Sequence, residues 1–492
     1  MIRKLSALLT FVVLVAACSS DADPERSSDA TTTSNTISAE TTATTTPPST
    51  APERPPPVVE WIDCGSAECA TVEVPLDHDV PDGETISLFV RRLPATGERI
   101  GGLFFNFGGP GAGAADLITQ FRIPDSIRER FDIVGMDPRG VGRSTPLDCG
   151  LDPETLYNAD PTIEDDTDAA DLIAISTRYV NDCEAAKGDV LPHLGTNDVA
   201  RDMDLIRAGM GDDQLSYVGY SYGTSIGQAY AELFPGRVRA MILDGLVDPE
   251  PDGIDTAVQQ AMGFETALEN WADGCRRRDT CRFDDPLDAV DRMLAVADDG
   301  VESSEGRRPL GPGEAANALV YPLYNQSLWP SLDTGIADAL AGDGAGMVAL
   351  ADSYTTLADF SIYFAVSCLD STWPTSTDEF LSRAADAASV APRFGEAIVN
   401  DYIRCALWPV PPDPIGGVTA EGAPPILVVS GPGDPATPYE NGVTVADRLA
   451  SGVLLTYEGE GHTITFQGSA CVDGIAVPYL VELEVPEDGS RC

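Results

Sequence analysis

The sequence predicts an α/β protein in which a mostly parallel central sheet is interrupted once by a helical insertion. Short apolar runs alternate with helical patterns through residues 59–248, and the same alternation resumes near Pro425. Between these regions, residues 249–415 are mostly helix-like, with glycine and proline breaks and no good run of buried strands. We therefore expect one core built from 59–248 and 416–492, with residues 249–415 inserted as a lid between strands 6 and 7.

The strands predicted before the insertion differ in exposure. Residues 71–76 and 85–93 alternate between polar and apolar side chains, which is typical of exposed antiparallel strands. Four apolar runs predict buried strands, at residues 102–107, 131–136, 215–219 and 238–243. Helical patterns at residues 168–187 and 199–210 lie between buried strands. This alternation favours a parallel sheet covered by helices.

The run Gly219-Tyr-Ser221-Tyr-Gly223 connects a buried strand to a helical pattern and has the form G-x-S-x-G. In so tight a turn, a side chain at either flanking position would collide with its neighbours, which explains the two glycines. The turn would hold the Ser221 hydroxyl out at the end of the sheet, within reach of a substrate carbonyl. Because a Gly-rich surface turn has the same pattern, the interpretation depends on partner residues further along the chain.

Two downstream residues supply those partners. Of the three histidines, only His462 lies far beyond Ser221, just after the strand-like residues 453–457. Asp434 lies between them in the chain and follows the apolar residues 426–429. The order Ser, Asp, His is that of α/β-hydrolases, and each residue follows a predicted strand, where parallel sheets collect functional side chains. We predict an α/β-hydrolase fold with Ser221 as nucleophile, Asp434 as acid and His462 as base.

A glycine-rich loop, Gly108-Gly109-Pro110-Gly111, follows the third predicted strand. The tetrahedral intermediates of acyl transfer carry an oxyanion that needs preorganised N–H donors. One predicted donor is the backbone N–H of Tyr222, the residue after Ser221. The other is Gly109, because Pro110 has no N–H to donate. The alternative, a phosphate-binding loop, lacks the required glycine spacing.

Composition narrows the classes of function. The chain has 492 residues and a formal net charge of −49, so we expect no nucleic acid partner, since phosphate repels such a surface. The acidity would keep an exported protein soluble. Adaptation to salty surroundings is the alternative, because lysine occurs only at Lys4 and Lys187. With no metal or dinucleotide signature, neither a metal nor a cofactor is expected.

Residues 1–18 have the features of a lipoprotein-type signal peptide. The positive start is followed by an apolar stretch too short to span a bilayer, which ends in Val15-Ala-Ala-Cys18, similar to a bacterial lipobox. We expect lipid on Cys18, anchoring an exported protein on the outer face of the cell membrane, this lipid being its only contact with the bilayer. Cleavage near Ala17 by an ordinary secretory route would instead give a secreted protein. Residues 19–58, rich in Ser, Thr and Pro, predict a disordered tether.

Eleven cysteines fit an exported protein, and ten remain if Cys18 carries lipid. Connectivity does not follow from sequence, so pairing between neighbours is the simplest hypothesis. The predicted pairs are Cys64–Cys69, Cys149–Cys183, Cys275–Cys281, Cys368–Cys405 and Cys471–Cys492.

Several motifs together resemble the tripeptidyl aminopeptidase branch of the prolyl-aminopeptidase-like (S33) peptidases, α/β-hydrolases typical of exported actinobacterial proteins. The matching segments are Asn106-Phe-Gly-Gly-Pro-Gly111, Asp137-Pro-Arg-Gly-Val-Gly-Arg-Ser144, Thr196-Asn-Asp-Val-Ala-Arg-Asp202, Gly219-Tyr-Ser-Tyr-Gly-Thr224, Asp434-Pro-Ala-Thr-Pro438 and Gly461-His-Thr463. The resemblance covers about residues 60–492 and implies removal of short peptides, often tripeptides, from free N-termini. Phe107 stands where prolyl relatives usually have His, which favours the tripeptidyl branch.

An enzyme of this kind must hold a substrate ammonium, which an acidic group in a low-dielectric pocket does well. Four acidic residues near the hinge of the lid are candidates: Asp248, Glu250, Glu265 and Glu269. The sequence does not choose among them. Asp244 and Asp248 are also alternatives to Asp434, because some α/β-hydrolases place the acid after the sixth strand.

Further expectations concern other residues and other functions. Arg139 is expected to brace the loop after the fourth strand, and His78 to lie in an exposed turn. A carboxylesterase or lipase with the same triad is the first alternative function. A surface-anchored binding protein that has lost catalysis is the second. The sequence leaves the oligomeric state open.

Overall fold

The structure is a computed structural model that describes residues 56–150, 159–356 and 360–492. The predicted signal peptide, Cys18 and nearly all of the predicted tether lie outside these residues. The strands of the described part are β1 Ile62–Asp63, β2 Glu68–Pro75, β3 Thr85–Leu93, β4 Gly101–Asn106, β5 Phe131–Met136, β6 Leu215–Tyr220, β7 Val238–Asp244, β8 Ile426–Ser430, β9 Gly452–Thr456 and β10 Ser490–Arg491.

These strands form one sheet in the order β1-β2-β3-β5-β4-β6-β7-β8-β9-β10. All pairings from β5 across to β10 are parallel. The pairings among β1, β2, β3 and β5 are antiparallel and form one end of the sheet. The prediction of a mostly parallel α/β sheet is therefore confirmed.

The number of strands before the insertion differs from the prediction. Strand β1 contains only Ile62 and Asp63, both exposed, and it pairs with the start of β2. Two exposed residues leave no alternating pattern for sequence analysis to detect. The helical insertion lies between β7 and β8, which are the strands that the prediction counted as 6 and 7, so only the strand numbers differ.

Helices cover the sheet and fill the insertion. The described helices are α1 Ala114–Leu117, α2 Asp125–Arg128, α3 Asp166–Lys187, α4 Thr196–Gly209, α5 Gly223–Leu233, α6 Gly253–Arg277, α7 Pro286–Asp298, α8 Pro312–Leu323, α9 Trp329–Leu340, α10 Ala345–Thr355, α11 Phe360–Asp370, α12 Thr377–Ala387, α13 Gly395–Asn400, α14 Tyr439–Arg448 and α15 Ala470–Glu482. Helices α6 to α13 lie between β7 and β8. None of the helices in the described ranges combines the length and the apolar character needed to span a bilayer.

The central strands are buried on both faces because helices pack on each side. In β4, for example, Phe104 belongs to one core and its neighbours Leu103 and Phe105 to the other. Successive side chains of a strand point to opposite faces, so a strand covered on both sides has an unbroken apolar sequence. The insertion has a core of its own, which includes Trp271 and Leu332. It is thus a packed helical layer.

Among the residues that the structure describes, five disulfides join cysteines that are neighbours along the chain. Cys368 of α11 is bonded to Cys405, which lies in the 3-10 helix Ile403–Leu407. Cys471 of α15 is bonded to Cys492 at the C-terminus. Such bonds form and persist in oxidising surroundings, so this number of disulfides indicates an exported protein.

Candidate active site

Ser221 lies in a sharp turn between β6 and α5, with a φ of 54°. A Cβ added to Gly219 would lie 2.4 Å from the carbonyl oxygen of Gly223, and one added to Gly223 would lie 2.8 Å from the carbonyl oxygen of Asn106. Real Cβ atoms do not approach so closely, so both positions require glycine. The left-handed conformation of a non-glycine residue is strained and persists where the surrounding structure enforces it.

The turn is fixed by hydrogen bonds to neighbouring strands. The backbone N–H of Ser221 donates to the carbonyl of Asp244 at 2.9 Å. The hydroxyl of Thr224 donates to the carbonyl of Ser221 at 2.6 Å and accepts from the N–H of Val247 at 3.0 Å. The serine is therefore held at the carboxyl end of the sheet by contacts with the chain that follows β7.

Asp434 and His462 lie on two loops that a parallel bridge between Gly433 and Glu460 brings together. The imidazole Nδ1 is 2.9 Å from Oδ1 and 2.8 Å from Oδ2 of Asp434. The same carboxylate accepts from the N–H groups of Ala436 and Thr437, both at 2.9 Å, and from the Thr437 hydroxyl at 2.8 Å. These five contacts fix the Asp434 carboxylate beside Nδ1 of the His462 ring.

The electrostatic surroundings of His462 favour its protonated form. Burial alone lowers its pKa, but the adjacent Asp434 carboxylate outweighs burial, and Asp244 adds to the effect, so the pKa is raised above the ordinary 6.5. With the Nδ1 proton directed at Asp434, Nε2 is left as the basic nitrogen. In the described structure no hydrogen bond joins the Ser221 hydroxyl to this ring. Such contacts are often long in resting enzymes and tighten when substrate binds.

The glycine-rich loop packs directly against the serine turn. Gly108 and Gly109 have φ values of +85° and +108°, which side chains rarely adopt. The N–H of Gly108 donates to the side-chain oxygen of Asn106 at 2.9 Å, so it is not available to a ligand. Gly109 lines the same cavity as Ser221 and Tyr222. This arrangement is consistent with the two predicted oxyanion donors.

The cavity at Ser221 has walls from both layers of the protein. The sheet side contributes the glycine loop and the turn, and the insertion contributes residues of α6 and α11 and of the segments after them. The insertion residues on its wall include Thr256, Gln260, Tyr363, Asp370, Trp373 and Tyr402. The insertion therefore covers the end of the sheet where Ser221 lies.

Comparisons with known proteins show the family of the chain. Serine protease Hip1 of Mycobacterium tuberculosis is 38% identical over 472 residues, which cover 88% of this chain and 91% of the relative. The family model described as TAP-like protein matches residues 390–492. The chain belongs to the TAP-like α/β-hydrolases. Carboxylesterase B of Mycobacterium tuberculosis is 36% identical over 457 residues, covering 87% of this chain and 86% of the relative. Tripeptidyl aminopeptidase of Streptomyces coelicolor is 31% identical over 458 residues, covering 86% and 84%.

Three of the four acidic residues considered for amine binding in this TAP-like hydrolase are paired with arginine. Asp248 forms a two-pronged ion pair with Arg448, at 2.7 and 3.0 Å, and Glu250 lies 2.5 Å from the same guanidinium. Glu265 is buried and lies 2.5 Å from Arg393.

The fourth candidate, Glu269, is exposed. Of the four, only Asp248 lines the cavity at Ser221. Because its two oxygens face Arg448, Asp248 is poorly placed to take a second cation.

Asp370, the last residue of α11, is a site residue that was not predicted from the sequence. Its carboxylate accepts from the N–H of Thr196 at 2.9 Å, from the Thr196 hydroxyl at 2.6 Å and from the Tyr222 hydroxyl at 2.9 Å. Burial raises its pKa to about 6 in spite of these bonds. It therefore positions the side chain of the residue next to Ser221. The sequence feature that could have indicated its role is a single acidic residue at the end of an otherwise apolar helix.

The loop after β5 is braced as expected, but His78 is not exposed. Arg139 is fully buried and donates from Nε and Nη2 to the two oxygens of Asp202, both at 2.7 Å. The ring Nε2 of His78 lies 2.9 Å from the same carboxylate, with 10% of the side chain exposed. The expectation of an exposed turn was wrong because the buried Arg139–Asp202 pair draws His78 inward. Within the residues described, no three His, Cys, Asp or Glu side chains gather as a metal site would require.

Proposed function

We propose that this TAP-like hydrolase is a serine peptidase that releases short peptides, principally tripeptides, from free N-termini. The observation that carries the proposal is that His462 is hydrogen-bonded to Asp434 while Ser221 lines a cavity that the insertion covers. A covered cavity suits the end of a peptide better than the middle of a long chain. The names of two relatives, a serine protease and a tripeptidyl aminopeptidase, support the same reaction.

In the proposed reaction, His462 Nε2 takes the proton of the Ser221 hydroxyl as the oxygen attacks the scissile carbonyl. Asp434 holds the ring in the correct tautomer and stabilises the imidazolium that forms. The N–H groups of Gly109 and Tyr222 donate to the oxyanion of the tetrahedral intermediate. His462 then gives its proton to the departing amine, and a water molecule hydrolyses the acyl-enzyme by the same steps in reverse order.

A carboxylesterase is the second candidate, because one relative is named Carboxylesterase B and the same residues would cleave an ester. Part of the cavity wall is apolar, formed by residues such as Val247, Ala257 and Ile415, and would admit an acyl chain. An ester has a better leaving group than an amide, so ester hydrolysis alone does not exclude a peptidase. The decisive difference is selectivity for a free N-terminus.

Three substrates separate the candidates when they are compared with the same enzyme preparation: Ala-Ala-Pro arylamide, its N-acetylated form, and a short-chain aryl ester. A peptidase of the proposed kind hydrolyses the free arylamide and discriminates strongly against the acetylated one. An esterase hydrolyses only the ester. The Ser221→Ala variant controls for background and should neither turn over substrate nor react with a fluorophosphonate probe. Failure of that probe to label wild-type Ser221 would instead support the non-catalytic binding protein.

Membrane anchoring through Cys18 is part of the proposal. The lipobox-like Val15-Ala-Ala-Cys18 supports it, since lipid on this cysteine would tether an exported enzyme to the outer face of the membrane. A Cys18→Ala variant should lose the membrane fraction of the protein while the purified catalytic part keeps its activity. Equal membrane recovery of both forms would contradict lipid anchoring.

A further inference from the structure

A second cavity adjoins the one at Ser221. The two share the wall residues Gln260, Tyr363 and Tyr402, and the two tyrosine hydroxyls are hydrogen-bonded to each other. The second cavity measures about 50 Å³, several times the roughly 10–15 Å³ that one water molecule needs. A peptide end that enters past Ser221 can therefore extend beyond the tyrosine pair into a space large enough for an ammonium group and a small side chain.

Asp401 lines this second cavity, directly after α13. Its backbone N–H donates to the carbonyl of Ala397, whereas its carboxylate has no hydrogen bond or ion pair with any residue in the described part of the chain. Burial raises the pKa of Asp401, and the charge of nearby Arg404 opposes this rise. Asp401 is partly buried, so its carboxylate has limited access to water and no donor, which is unfavourable, and a cationic ligand would reduce that penalty.

The other carboxylates on the two cavity walls already have partners. Asp370 accepts three hydrogen bonds from Thr196 and Tyr222. Asp248 is paired with both terminal nitrogens of Arg448. Among the described residues that line the two cavities, Asp401 is therefore the carboxylate with free acceptor oxygens.

Aromatic rings form much of the wall around Asp401. Phe264 and Phe394 lie with their ring centroids 5.7 Å apart, and Tyr354 and the tyrosine pair complete that side. Ring faces attract cations, particularly where water is excluded. The second cavity thus combines a negative charge with surfaces that favour a compact positive group.

We propose that Asp401 binds the α-ammonium group of the substrate and thereby sets how many residues fit between that end and the carbonyl attacked by Ser221. The ligand class is a short peptide with a free primary or secondary amine at its N-terminus. This inference rests on the proposed peptidase function. It gives that function a specificity-determining residue that none of the four sequence candidates provides.

The test compares wild type, Asp401→Asn and Asp401→Glu on Ala-Ala-Pro arylamide and on its N-acetylated form. Removing one partner of a buried charge pair weakens binding strongly, so Asp401→Asn should lower kcat/KM for the free amine by roughly 30-fold or more. The acetylated substrate and the rate of fluorophosphonate labelling should be unchanged. Asp401→Glu keeps the charge and should retain the preference for the free amine. This variant keeps the proposal testable if Asp401→Asn does not fold.

The matched control is Asp370→Asn, which changes a buried carboxylate on the wall of the cavity at Ser221. Because Asp370 positions Tyr222, this variant should slow both arylamides to the same extent. If Asp401 serves only as a counter-ion for Arg404, Asp401→Asn would lower stability and slow both substrates equally, which would overturn the proposal. Wild type that cleaves only esters would instead overturn the peptidase function, so the two failures are distinguishable.

Discussion

The carboxylate of Asp244 accepts a hydrogen bond from the backbone N–H of Thr465 at 2.6 Å. The same oxygen accepts from Ile464 at 2.9 Å, and the backbone carbonyl of Asp244 accepts from Ser221. One residue at the end of β7 therefore holds both the turn that presents Ser221 and the loop that carries His462. The sequence leaves Asp244 open as an alternative acid, whereas in the structure the contact with the His462 ring is made by Asp434. The geometry indicates a positioning role for Asp244.

Substituting Asp244→Ala should reduce both stability and the reactivity of Ser221. It would leave the N–H groups of Ile464 and Thr465 without an acceptor, and each buried unsatisfied group costs about 1–3 kcal/mol. We expect a loss of about 2–6 kcal/mol in the free energy of unfolding for the two groups. Fluorophosphonate labelling should also be slower, because the loop of His462 is no longer fixed. Asp244→Asn retains one acceptor oxygen and should be intermediate in both measurements.

Asp132→Ala is the control for this series. Asp132 is also buried and accepts from the backbone N–H of Ala95 at 2.9 Å and from Arg99, but it lies on β5 away from the cavity at Ser221. The Asp132→Ala substitution should destabilise the fold without changing the rate at which the folded enzyme is labelled by the fluorophosphonate. Equal labelling rates for Asp244→Ala and Asp132→Ala would show that Asp244 has only a structural role.

The pH dependence of activity should reflect the raised pKa of His462. A general base must be unprotonated, so kcat/KM should fall as the pH is lowered through that pKa, with an acid limb above the ordinary imidazole value of 6.5. Asp434→Asn removes the main group that raises the pKa, so the limb should move to lower pH. Turnover should also drop by about 10⁴-fold, since the ring then loses the partner that fixes its tautomer.

Asp370 is a second titratable group at the cavity of Ser221, because burial raises its pKa to about 6. An Asp370→Asn variant measured over the same pH range identifies the group responsible. An acid limb that persists in this variant belongs to His462. Near-wild-type turnover of Asp434→Asn would remove Asp434 from the proposed triad.

The sequence was sufficient for the residues whose surroundings are local. Ser221, Asp434 and His462 each follow an apolar strand, and the elbow glycines are required by atoms a few positions away. Because these strands are parallel, the three loops that follow them lie at the same end of the sheet.

The partners contributed by the insertion could not be predicted in this way. The bond between Asp370 and Tyr222 spans 148 positions, and the pairing of Glu265 with Arg393 spans 128. Such contacts depend on how the helices of the insertion pack on one another and on the sheet. No periodic pattern in a single sequence encodes that packing, so Asp401 could not be distinguished from the other acidic residues.

Gly108→Ala should inactivate the enzyme through the oxyanion site. An added Cβ would lie 2.6 Å from the carbonyl oxygen of Tyr220 and 3.0 Å from the backbone nitrogen of Tyr222. The loop must then move away from the serine turn, which separates the two proposed donors. Loss of one donor typically reduces kcat by about 10²–10³-fold.

The comparison for this variant is Gly211→Ala. Gly211 has a similar φ of +79°, but nothing lies within 4 Å of an added Cβ. It therefore carries the same backbone strain without the collision. Gly211→Ala should lose only the stability that the backbone strain costs, while kcat stays at the wild-type value. A similar fall in kcat for both variants would attribute the effect to strain, and not to the oxyanion site.

The disulfide between Cys368 and Cys405 should matter for substrate binding as well as for stability. Cys368 lies two residues before Asp370, and Cys405 follows Tyr402 by three, so the bond connects two walls of the cavities. Replacing both cysteines with serine releases a link between residues 37 apart in sequence, which is worth about 4 kcal/mol by loop-closure entropy. KM for Ala-Ala-Pro arylamide should rise, because the walls that carry Asp401 and Asp370 are no longer tied together.

Cys149 and Cys183 provide a control matched in loop length, with a sequence separation of 34. Both are buried in a cluster beside the cavity walls, and neither lines the cavities themselves. The corresponding double serine variant should lose a similar free energy of unfolding, about 4 kcal/mol, without a change in KM. Both variants are assayed at a temperature at which each remains folded. A rise in KM of the same size in both variants would mean that the disulfides act through overall stability alone. A rise confined to the variant without the Cys368–Cys405 bond would show that this bond shapes the two cavities.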